Sequence, residues 1–63
     1  MHAIVYGVSQ GPQVVWRAVS GVGPIGENPN VLMLLDAMGR DGWVVVASGD
    51  FFGGGKTELL LRR

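Results

Sequence analysis

"NPNVLMLLDAMGRDGWVVVAS" (residues 28–48) decides how this chain folds, because the hydrophobic spacing changes inside it. Val31, Leu34, Leu35 and Met38 recur at the three-four spacing of one helix face. From Trp43 to Ala47 the apolar residues run without a break, which reads as a strand with both faces at least partly covered. Gly39 or Gly42 can end the helix, and Arg40 lies near the negative end of its dipole. At the start, Asn28 can cap the helix with Pro29 in the first helical position, or Asn30 can cap it. Leu32 and Met33 fall outside the stripe. The helix is therefore apolar over more of its circumference than one sheet covers.

Outward from this segment the chain reads as strands. "AIVYGVS" (3–9) is rich in β-branched and aromatic residues, "QGP" (10–12) has turn chemistry, and "QVVWRAV" (13–19) completes a hairpin. "SGVGPIGENPN" (20–30) holds three glycines and two prolines. That density predicts a loop, a surface crossover from sheet to helix. "KTELLLRR" (56–63) is a last strand, with Thr57, Leu59 and Leu61 on one face and Glu58, Leu60 and Arg62 on the other. The expected class is α+β: a small antiparallel sheet in the order β-β-α-β-β, one helix on one face, and a single domain over residues 1–63.

That sheet has a second face, and the composition says how it is covered. The chain has 63 residues and no cysteine. A domain of this size buries only about 60% of the surface its unfolded form exposes. Disulfides and thiolate metal sites are excluded, and His2 alone makes no zinc site. No cofactor is expected. A partner remains as the staple, and a second copy is the most economical one. With 48% hydrophobic residues, 16% charged residues and zero formal net charge, the balance favours self-association over disorder. No stretch approaches the roughly 18–20 apolar residues of a membrane helix, and the opening residues lack a signal-peptide pattern. A cytoplasmic protein without membrane contact is expected.

"VLMLLDAMGRDGWVVVASGDF" also resembles a small bacterial domain of unknown function. In that domain an apolar helix ends in a Gly-x-(Glu/Asp)-Gly-Trp turn, then come a strand, a glycine-containing turn and a final strand with a basic end. The matching residues are Leu34, Leu35, Met38, Gly39, Asp41, Gly42 and Trp43, then Leu59 to Arg63. Ile4, Val5 and Tyr6 loosely echo its opening strand. Val44 replaces the family's acidic residue after the tryptophan, and segment 20–30 is richer in glycine and proline. The resemblance implies a fold and no activity, since the family brings no catalytic residues with it.

The run "GDFFGGGKTELLLRR" (49–63) imitates a phosphate loop and fails its register. Counting back from Gly55-Lys56-Thr57, the first glycine of such a loop falls at Asp50, and a strand follows where a helix is required. The glycines instead make the turn of a β-hairpin. Phe51 and Phe52 before them are divided between core filler and exposed interface anchor. Trp16, Leu60 and alternate residues of "AIVY" (3–6) and "WVVVA" (43–47) are expected on the uncovered sheet face. The contact residues expected for a homo-oligomer, most simply a dimer within a larger assembly, are Trp16, Ile25, Phe51, Phe52 and Leu60. Catalysis needs converging polar groups, and no pair among His2, Ser9, Ser20, Asp36, Asp41, Ser48, Asp50, Thr57 and Glu58 has acid–base spacing. The expectation is a non-enzymatic module. A site between subunits using Asp50 and Lys56 is the enzymatic alternative. A basic, aromatic surface of Arg17, Trp16, Trp43, Phe51, Lys56, Arg62 and Arg63 is the nucleic-acid alternative, against which the zero net charge argues.

Overall fold

A computed structural model describes residues 1–63 as five antiparallel strands and one helix. Strand β1 (His2–Gln10) turns through Gly11-Pro12 into β2 (Gln13–Ser20), and Gln10 pairs with Gln13. Gly11 takes a φ of 61°. Glycine first, with proline second, suits the type II′ turn, whose twist matches that of a hairpin.

The segment expected as a crossover loop is instead a third strand, β3 (Gly23–Asn28), paired antiparallel with β2. The element order is therefore β-β-β-α-β-β, a correction to the order expected from sequence. Its physical basis is position. β3 is an edge strand, where one side of the backbone needs no partner and proline is tolerated. Glycine is accommodated as well: Gly26 lies beneath the helix, where a Cβ would make only ordinary contact with Leu34 Cδ1 at 3.7 Å. The register shifts between Ala18 and Val19, leaving Ile25 as the extra residue of a bulge. At the preceding turn the Ser20 hydroxyl donates to the Gly23 carbonyl and accepts from the Val22 amide, both at 3.3 Å.

Helix α1 (Val31–Arg40) starts at Asn30 rather than Asn28. The Asn30 side chain accepts from the amides of Leu32 and Met33, and Asn28 accepts from the Asn30 amide. At the other end the Trp43 amide donates to the Met38 carbonyl and the Gly42 amide to the Gly39 carbonyl. This pair of bonds, with Gly42 at a φ of 88°, is a Schellman closure. Met38 and Trp43, both buried, supply its hydrophobic contact. Gly42 and not Gly39 ends the helix.

Strand β4 (Val44–Gly49) and strand β5 (Glu58–Arg62) complete a sheet in the order β3-β2-β1-β5-β4. The helix leaves from one edge strand and delivers the chain to the other, packing on β2 and β3. Ala3, Val5, Ala18, Leu34, Met38, Trp43 and Leu61 form the core, with Trp16, Ile25, Val31, Leu35 and Leu59 packed against it. The stripe Val31, Leu34, Leu35 and Met38 is thus the buried face, while Leu32 and Met33 are exposed.

Two side chains expected on the uncovered face are separated by this register. Leu60 pairs with Ile4, on the face away from the helix. Trp16 pairs with Gly7 and shares its face with Ala18, so it belongs to the helix side. A Cβ on Gly7 would come within 3.5 Å of the indole ring and 3.1 Å of Val14 Cγ1. The indole of Trp16 thus lies over Gly7, and the neighbour that crowds this position is Val14.

Candidate association surface

The face away from the helix carries Ile4, Tyr6 and Val8 from β1, Val15, Arg17 and Val19 from β2, and Leu60 from β5. The chain closes part of it. Val15 is buried, and Ile4, Tyr6, Val8 and Leu60 are half-buried. Cover comes from the loop at residues 50–57, whose Phe52 meets the Tyr6 ring edge-on at 6.0 Å between centroids.

Two carboxylates hold that loop. Glu58, only 4% exposed, accepts from the Phe51 amide at 2.7 Å and the Phe52 amide at 3.2 Å. Asp50 accepts from the Gly54 amide at 3.0 Å and the Gly55 amide at 2.7 Å. Gly53 and Gly55 take φ values of 76° and 77°, so the sharp path requires glycine. The amides that a phosphate loop would aim at an anion are bonded to the protein's own carboxylates.

β4 is different. Val44, Val45 and Val46 are 59%, 45% and 46% exposed. The unbroken run predicts a strand with both faces at least partly covered, yet β4 has only β5 beside it, and the helix packs at the far side of the sheet. Phe51 extends the patch: its ring lies over Gly49, 3.7 Å from where a Cβ would be, and is 44% exposed. Phe52 is 64% exposed. Neither phenylalanine enters the core.

The other expected site residues are dispersed. Ile25 packs inward from the β3 bulge. Arg17 is paired with Glu27 at 3.1 Å beside a cleft of about 460 Å³ lined by Tyr6, Val19 and Pro24 among others. Arg63 stacks 4.9 Å from the Trp43 ring centroid and donates to the Asp41 carbonyl at 3.4 Å, covering the helix end. Lys56 lies in the glycine loop and Arg62 next to Val44 across the β4–β5 ladder. The basic and aromatic residues are not gathered on one face. No group of three or more His, Asp or Glu residues is placed to hold a metal ion, and no helix is long and apolar enough to cross a membrane.

No family model, curated protein or solved structure matches the chain.

Proposed function

We propose that this protein is a self-associating, non-enzymatic module, a homo-oligomer that serves as an accessory or scaffold subunit through protein–protein contacts. One observation carries the reading: Val44, Val45, Val46, Phe51 and Phe52 leave a run of large apolar side chains in solvent at one end of the sheet. Large apolar side chains left exposed in such number at one edge and the loop that follows it mark interaction sites. The placement of the acidic groups agrees with a structural role. Asp50 and Glu58 brace a loop, Asp36 pairs with Arg40, and Glu27 pairs with Arg17. The resemblance of the Leu34–Trp43 helix and turn to a bacterial domain of unknown function adds a bacterial setting to the same proposal, and a cytoplasmic location is proposed with it.

A standard interface takes about 800 Å² from each partner. The chain exposes 4134 Å², so such an interface would use about a fifth of its surface. Light scattering behind size exclusion, from micromolar to tenths of millimolar chain, tests the proposal. The expected mass is an integer multiple of 6.7 kDa. A mass that stays at that of one chain throughout overturns it.

A further inference from the structure

The two edges of the sheet are built differently, and the difference names the contact. β3 carries the features that keep an edge from pairing: Pro24, Gly23, Gly26 and the charged Glu27, with a bulge at Ile25. β4 has neither proline nor charge, and three of its six residues are exposed valines. We infer that β4 is the self-association edge, and that it pairs antiparallel with β4 of a second copy across a two-fold axis through the valine run. This rests on the proposed self-association and specifies its geometry.

The charges select the occupant and the direction. An identical strand laid antiparallel near its own two-fold brings like charges face to face, and that repulsion normally opposes self-pairing. β4 contains no charge to repel. Its ends are opposite in sign. Arg62 is the cross-strand neighbour of Val44, and Arg63 covers Trp43 just before the strand, whereas Asp50 follows it directly. Antiparallel pairing sets the arginine end of each copy against the Asp50 end of the other. Parallel pairing would set arginine against arginine. The bulge at Val46, between the Val45–Leu61 and Ala47–Leu60 pairs, is the one feature of this edge that opposes pairing. It strengthens the local twist, and a second β4 carries the same twist.

Six residues of strand extend about 20 Å, too little edge to reach a standard interface alone. The aromatic residues beyond Gly49 supply the remainder. Phe51 lies over the end of β4, so the antiparallel pair would set it beside the turn that leads into the other copy's strand.

The chain is free of cysteine, so single cysteines report the contact without competition. Val44→Cys, Val45→Cys and Val46→Cys are compared with Leu32→Cys on the outer helix face, where exposure is 72%. Residues facing each other in an antiparallel ladder have Cα atoms about 4.5–5.5 Å apart, within disulfide reach. Under mild oxidation at least one valine position is expected to cross-link ten-fold or more faster than position 32. Val46→Lys is expected to halve the mass of the wild-type species with an unchanged circular dichroism spectrum, and Val19→Lys in β2, toward the other edge of the sheet, to leave the mass intact. A wild-type chain that is monomeric at every concentration overturns both the self-association and its edge. An oligomer that survives Val46→Lys, cross-links no faster through the valines than through position 32, and dissociates with Val19→Lys overturns the edge pairing alone.

Discussion

Glu58 is the most consequential single side chain outside the core. Its carboxylate is buried on the sheet face away from the helix, and the Phe51 and Phe52 amides end on it. Hydrogen bonds to a charged acceptor are worth more than neutral ones, and removing the acceptor strands two donors. Glu58→Ala is expected to lower stability by about 2–3 kcal/mol in urea denaturation. Glu58→Gln, which keeps an acceptor, is expected to lose less. An Ala variant as stable as wild type would mean that water replaces the carboxylate. Gly42 is the second case. Its φ of 88° lies in the region that a side chain strains, and Gly42→Ala is expected to cost about 1–2 kcal/mol with the fold retained. Gly39 also borders the turn, but its backbone is not in that region, and Gly39→Ala is expected to be neutral or stabilising.

At the level of elements, the helix is governed by its caps. Asn30 satisfies two amides of the first turn, so Asn30→Ala is expected to cost about 1 kcal/mol and Asn30→Gly a few tenths, read from thermal melts. Comparable losses for the two would assign the effect to packing. The helix, both hairpins and the buried stripe were legible in the sequence because each rests on local chemistry: three-four spacing, a glycine-proline turn, alternation along β5. Strand β3 was not legible, since glycine and proline argue against a strand everywhere except at an edge, and edge position is a property of the whole sheet. Trp16 fails for a related reason. Alternation divides β2 into two faces, but only the pairing with Gly7 says which face the helix covers. Of the contact residues expected from sequence, Phe51 and Phe52 lie in the exposed patch, Leu60 is half-buried, and Trp16 and Ile25 pack on the core. Alternate residues of the β4 run are expected on the uncovered face, but the exposure of all three valines depends on the edge position of β4, which an unbroken apolar run does not signal.

The molecule as a whole is a sheet whose middle is made last. β1 and β2 are joined by a short turn, and β3 adds to them along a meander. β1 is central, however, and its other side is filled by β5, with Ala3 against Leu61 and Val5 against Leu59. The chain between β1 and β5, which carries β2, β3, α1 and β4, must bring its ends together before this seam contributes anything, and closure costs entropy in advance. Chains dominated by such distant pairings fold slowly for their size. Leu61→Ala is therefore expected to slow refolding in stopped-flow experiments, because docking of β5 belongs to the barrier. Faster unfolding with unchanged refolding would place that docking after it. A chain emerging during synthesis would hold β1, β2 and β3 together with one side of β1 still bare. It would keep that vacancy until β5 arrived, a kinetic interval in which another chain's strand could occupy the seat.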